Sequence, residues 1–191
     1  MRFFLNASTF CTALLGFTLG FQAIAVAQSQ SVAEPNTLTV TPFLSGTFGT
    51  SDDLGGSLGV GAAIGYDLTR NLGFEAEFGR VFDVAGDNEN LDWALTNITG
   101  NVLYHFDVPR VTPYAVFGLG WERSNPDFES DVDPLVPESS TEISWNFGGG
   151  VKYPIAERFL AGADIRRFQA NDLAPDSWRV YAGLTFWIRR N

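Results

Sequence analysis

Six charged residues stand inside otherwise small, weakly polar runs, and their signs balance: Glu75, Glu77 and Asp164 against Lys152, Arg166 and Arg179. Three acids and three bases confined together form ion pairs, which pin a structure or, where water enters between them, gate ions. Their partners are not assignable from sequence, because the six lie at different depths along their segments. His105 is the single histidine. Acyl transfer needs a nucleophile or activated water beside a base, usually histidine, that an acid holds in place. His105 lies on a polar face beside a short turn, and a hydrogen-bonded histidine is the plainer reading. Asp127, Glu129, Asp131 and Asp133 offer the hard oxygen ligands that calcium takes. That run has no glycine where a tight calcium loop bends and no glutamate at a bidentate ligand's distance, so it is expected to be a solvated acidic loop. No metal site and no cofactor are expected.

The elements that must position these charges show in residues 58–78, LGVGAAIGYDLTRNLGFEAEF, which alternate with period two on both sides of a polar turn. Leu58, Val60, Ala62, Ile64 and Tyr66 share one face, and Ser57, Gly59, Gly61, Ala63, Gly65 and Asp67 the other. After the turn at 67–71, Leu72, Phe74, Ala76 and Phe78 oppose Gly73, Glu75, Glu77 and Gly79. Segments 104–121 and 153–168 repeat the pattern: an aromatic near a strand end, a short turn carrying Arg110 or Arg158, and a second alternating strand. Short turns separated by longer, more acidic connections predict an up-and-down antiparallel sheet with one short-loop end and one long-loop end.

Eight strands are expected, at about 38–48, 57–67, 72–82, 93–106, 112–123, 142–153, 159–168 and 178–189. The long loops are then 83–92, 125–141 and 169–177. The two faces of the first strand are hard to tell apart, and Pro42 is awkward in its middle.

Residues 1–27 carry one charge, Arg2, then an apolar run from about 7 to 24 and the cleavage-type triplet Ala25-Val26-Ala27. They are expected to be a cleaved signal peptide. Residues 28–36 form a short flexible lead, and 37–191 the single folded domain. Cleavage removes Cys11, the one cysteine, so export without disulfides requires a sheet that closes on itself. Without Arg2, 11 basic residues face 22 acidic ones, a formal charge of −11 that argues against nucleic acid as a partner. After the signal no segment holds the ~18 uninterrupted apolar residues of a membrane helix, which leaves strands of ~9–11 residues as a way to cross a bilayer.

Alternation alone does not say whether the apolar face meets lipid or an internal core, as in a soluble barrel of lipocalin type. The polar face decides: it is rich in Gly, Ser, Thr and Asn with balanced charges, where a water-facing surface carries more Lys and Glu. Small residues and paired ions suit a narrow eight-stranded interior. The apolar face is then the lipid belt. Tyr66, Tyr104, Phe106 and Tyr153 beside the short turns fit one interfacial girdle, and Trp93, Trp121, Trp145 and Trp178 near the opposite ends fit the other. Arg166 facing the bilayer midplane costs ~2–4 kcal/mol, so the lumen is its cheaper place.

With GYDLTRNLGFEAEFG at 65–79, TPYAVFGLG at 112–120, NFGGGVKYPIAERFLAGADIR at 146–166 and RVYAGLTFWI at 179–188, nearly the whole mature chain resembles a family. These are the small outer-membrane β-barrels of the outer membrane protein A-like type. The resemblance implies an all-β, eight-stranded antiparallel up-and-down transmembrane β-barrel with short periplasmic turns and longer extracellular loops, in the cell outer membrane. It implies outer-membrane lipid and lipopolysaccharide, the barrel-assembly machinery and an extracellular partner of unknown identity as contacts. Members commonly end on an aromatic residue read during assembly. This chain adds Ile188-Arg189-Arg190-Asn191 after Trp187, leaving Phe186 on the lipid face as the nearest substitute. Some small outer-membrane barrels deacylate or acylate lipid A, but the His-x-Ser element expected near the C-terminus of the deacylases is missing, and no enzyme is expected. The expected role is structural, or surface interaction through the acidic loops. A narrow, low-conductance pore is the alternative, disfavoured because side chains suffice to fill eight strands.

Overall fold

The computed structural model describes residues 33–49, 56–82, 91–128, 140–170 and 176–189. Eight strands, β1 (Thr37–Gly49), β2 (Ser57–Asp67), β3 (Leu72–Val81), β4 (Leu91–His105), β5 (Thr112–Phe128), β6 (Ser140–Ala156), β7 (Phe159–Ala170) and β8 (Ser177–Arg189), pair in sequence order. Every pair is antiparallel, and β8 returns to β1 to close the barrel. Closure removes both sheet edges, so backbone polar groups at membrane depth are satisfied within the protein.

The register sets the barrel's tilt. Paired positions run from Leu38 through Tyr66, Phe74, Val102, Phe117, Phe147, Arg167 and Trp178, and return to β1 at Phe48 rather than at Leu38. A stagger of this size goes with strands tilted roughly 35–45° to the axis. Both described ends of the sheet, Thr37 and Arg189, lie at the short-turn end, where Thr37 pairs with Asp67 and Arg189 with Leu38.

The strands outrun the apolar pattern at the loop end. Leu91 pairs with Phe128 and Asp92 with Asp127, so β4 begins and β5 ends inside stretches expected to be loops. Likewise β6 starts at Ser140 and β7 runs on to Ala170. Backbone pairing carries these extensions, and it asks nothing of side-chain hydrophobicity. The expected signal peptide at 1–27 with Cys11, most of the expected lead, and the segments 83–90, 129–139 and 171–175 lie outside the described residues.

Pro42 does sit mid-strand. The β1–β8 ladder pairs Val40 with Phe186 and Phe43 with Gly183 but passes over Thr41 and Pro42, so the missing N–H falls at a gap in the closing seam. β1 also resolves its two faces. Thr37, Thr39, Phe43, Ser45 and Thr47 are buried while Leu44 and Phe48 are exposed. Phe43 faces inward, which is why the faces could not be told apart by polarity.

The short turns are tied by side chains. Thr69 Oγ1 accepts from the backbone N–H of Leu72 at 2.9 Å and of Asn71 at 3.2 Å. Asn71 in turn donates from Nδ2 to the His105 carbonyl at 2.8 Å, linking this turn to β4. Tyr66 Oη donates to Asn36 Oδ1 at 2.9 Å, holding the chain's approach to β1.

Burial is inverted relative to a water-soluble protein. Leu58 is 67 % exposed and Trp121 60 %, whereas Arg179 is 1 % and Glu77 2 % exposed. An outward apolar surface of this extent belongs to a lipid belt. Tyr66, Tyr104, Phe106 and Tyr153 are exposed near the short turns. Trp121 and Trp145 are exposed towards the loop end, and Trp178 on the same outer face lies under the Arg167 guanidinium, 5.6 Å from its ring centroid. The Trp93 backbone pairs with Pro126, well beyond the Ile98–Trp121 pair on the same two strands, so it stands apart from the other three tryptophans. Among the described residues no helix is long and apolar enough to cross a membrane.

Candidate functional site

The strand faces bring most of the interior charges into one column. Glu75 and Glu77 come from β3, Glu122 from β5, Lys152 from β6, Asp164 and Arg166 from β7, and Arg179 from β8. At its centre Arg166 donates from Nε to Asp164 Oδ1 at 2.9 Å and from Nη2 to Asp164 Oδ2 at 3.0 Å. Its Nη1 donates to Glu77 Oε2 at 2.7 Å, and Glu75 Oε1 stands 3.6 Å from Nη2. One guanidinium therefore serves three carboxylates, which its planar fork of five donors allows.

Neutral side chains hold these carboxylates. Tyr114 donates to Asp164, and Tyr181 Oη donates to Glu77 Oε1 at 3.3 Å. Asn97 Nδ2 donates to Glu77 Oε1 and Asn101 Nδ2 to Glu75 Oε1, each at 3.2 Å. Asn146 Nδ2 donates to Asn101 Oδ1 at 3.2 Å, extending the web to β6. Towards the loop end Arg179 donates from Nη1 to Asn97 Oδ1 at 3.2 Å and from Nη2 to Glu122. Hydrogen bonds thus run without a break from Tyr114 to Glu122.

Aromatic rings close the space around the ions. Arg166 lies 4.6 Å over the Tyr181 ring and Arg179 3.9 Å over the Phe168 ring. Phe43 packs edge-on against Tyr181 at 5.0 Å, in a buried cluster with Ala63 and Phe168. Glycines make the room: a Cβ at Gly118 would meet both the Asn101 and Asn146 amides, and one at Gly148 would meet Arg166.

The outer membrane protein beta-barrel domain family matches residues 10–186. The chain belongs to that family. The N-terminal barrel domain of Pseudomonas aeruginosa OprF is 22 % identical with TM-score 0.58, covering 81 % of this chain and 98 % of that one. Neisserial surface protein A is 19 % identical with TM-score 0.60, covering 78 % and 95 %. Ail, the attachment invasion locus protein of Yersinia pestis, is 16 % identical with TM-score 0.51, covering 81 % and 100 %. At these identities the likeness is one of fold. No curated protein matches the sequence. Family membership places the barrel in the cell outer membrane.

Within this outer-membrane barrel the six expected charges do not form one closed set. Arg166 gathers Glu75, Glu77 and Asp164, but Arg179 takes Glu122, which lies outside the six. Lys152 forms no ion pair among the described residues; its Nζ lies 5.2 Å from the Tyr114 ring centroid. The signal for Glu122 was its parity with Gly118 and Gly120 on the polar face of β5. Asn97, Asn101 and Asn146 share that inward parity on β4 and β6, and only the register shows that they meet the carboxylates. His105 sits at the short-turn rim. Its Nδ1 is 3.8 Å from Asp67 Oδ1, beyond hydrogen-bonding distance, and its ring lies 6.0 Å from that of Tyr114. Among the described residues no group of three or more His, Cys, Asp or Glu is arranged to hold a metal ion.

Proposed function

We propose that this chain is a plugged outer-membrane barrel, a non-enzymatic scaffold whose role is structural or lies in surface contacts made by its acidic loops. The hydrogen-bonded column from Tyr114 to Glu122, packed with Phe43 and Phe168, carries this reading, because it leaves the interior spent on stability rather than transport. Strands β4 to β6 run on towards the loop end, giving the loops a rigid base. In this reading residues 1–27 are removed on export, the assembly machinery inserts the barrel, and lipopolysaccharide surrounds its outer rim.

The loop chemistry narrows the partner. Asp83, Asp87 and Glu89 lie in one connection and Glu129, Asp131, Asp133 and Glu138 in another. Ail has been crystallised with the heparin analogue sucrose octasulfate, a polyanion. The loops here repel a polyanion and suit a cationic partner or phosphates bridged by divalent cations. Replacing 129–139 by a neutral linker of equal length tests this. Loss of cell-surface binding to basic ligands, with the heat-modifiable band intact, supports the loops as the contact surface; unchanged binding refutes it.

The narrow pore is the second reading. It is favoured by the position of Glu75, close enough to Arg166 to take it from Glu77 if the side chain swings. Steady channel activity of the wild-type barrel would establish it.

A further inference from the structure

Each of the three short turns carries one arginine, and the fold gives this repetition a geometry. Arg70 lies between β2 and β3, Arg110 between β4 and β5, Arg158 between β6 and β7, and Arg189 ends β8 beside β1. The four therefore fall at every second strand around one rim. All are exposed, and none forms an ion pair with a described residue. Asp107 and Glu157 are the exposed acids among these turns, so the rim is net cationic in a chain whose overall charge is −10.

Turn geometry does not explain these arginines. Arg110 adopts left-handed backbone with φ 73°, a conformation that glycine or asparagine holds at lower cost. The turns place Arg70, Arg110 and Arg158 only four or five positions along the chain beyond the outward Tyr66, Phe106 and Tyr153. Such aromatic rings mark the headgroup level. An exposed arginine this close along the chain to the headgroup-level rings is within reach of phosphate in the same leaflet, and arginine binds phosphate through paired N–H donors.

We propose that Arg70, Arg110, Arg158 and Arg189 form a periplasmic collar that binds anionic phospholipid headgroups of the inner leaflet. The collar anchors the short-turn end in its leaflet, opposite the acidic loops. Basic residues near an anionic bilayer surface each add about fivefold to the association at low salt, less as salt screens them. With two exposed acids opposing four arginines, two net charges remain and the preference is roughly 25-fold.

The test is to fold the full mature barrel into vesicles of equimolar phosphatidylcholine and phosphatidylglycerol, and to count retained lipids by native mass spectrometry. Wild type should keep phosphatidylglycerol over phosphatidylcholine by roughly 25-fold at low salt, falling as salt rises. R70Q/R110Q/R158Q/R189Q should lose the preference while keeping the heat-modifiable band, and R80Q/R123Q, altered at the other end, should keep it. If the fourfold variant does not fold, R110Q/R158Q serves: two arginines then face two acids, and the preference should be lost as well. An undiminished preference in the collar variants overturns the proposal. So does a wild-type barrel that shows no lipid preference but sediments with purified peptidoglycan through the same arginines, which reassigns the collar to the cell wall.

Discussion

Arg166 on β7 and Glu77 on β3, 89 positions apart in sequence, meet at 2.7 Å inside the closed barrel, each almost completely buried. The contact spans the lumen rather than joining neighbouring strands, so it exists only once the barrel has closed. Ion pairs of this kind contribute little against an apolar core but are costly to break, because the partner left behind is a buried charge.

Arg166→Ala leaves Glu75, Glu77 and Asp164 facing one another without a cation. We expect a loss of ~3–5 kcal/mol, measured by urea unfolding of the vesicle-embedded barrel. Glu77→Gln should cost less, since Asp164 still holds Arg166 through two hydrogen bonds.

The Arg179–Glu122 pair is the second tie across the interior. A cycle of Arg179→Met, Glu122→Gln and the double variant should return a coupling energy of ~1–3 kcal/mol. A coupling near zero would show that the two side chains do not depend on each other.

Gly118 and Gly148 are among the positions where an added Cβ would collide with its surroundings, there with interior side chains of the column. Gly118→Val should separate Asn101 from Asn146 and cost ~1–3 kcal/mol by overpacking, seen as a lower midpoint for loss of the folded band on heating. Gly56, where an added Cβ meets nothing within 4 Å, is the control and should tolerate alanine.

The outer face can be tested by depth. Phe117 lies well inside the belt on β5 and Trp121 closer to its loop end, both exposed. Phe117→Arg should cost ~2–4 kcal/mol and Trp121→Arg ~0–1 kcal/mol beyond the lost aromatic contact. Equal costs would mean that no depth gradient, and hence no bilayer, acts on this face.

Period-two alternation shows in the sequence because each strand buries one face and offers the other to lipid, so Leu58 to Tyr66 declare their side before any pairing is known. The short turns and the inward set of charges follow from the same parity. The partners do not, because they depend on the stagger that carries Leu38 to Phe48 around the barrel. Only that offset sets Arg179 against Glu122 and leaves Lys152 beside Tyr114. Phe43 was illegible for a different reason: an apolar residue that plugs a lumen has the same chemistry as one that faces lipid. The extensions of β4, β5 and β6 were hidden because ladder pairing beyond the bilayer leaves no hydrophobic trace.

The plug is tested most directly by reconstituting the purified wild-type barrel in planar bilayers beside R166A/R179A and recording single-channel current. The column from Tyr114 to Glu122 predicts a silent wild type and measurable conductance once both guanidinium ties are removed. A steady ionic current through the wild-type barrel would contradict it and make the interior a conduit.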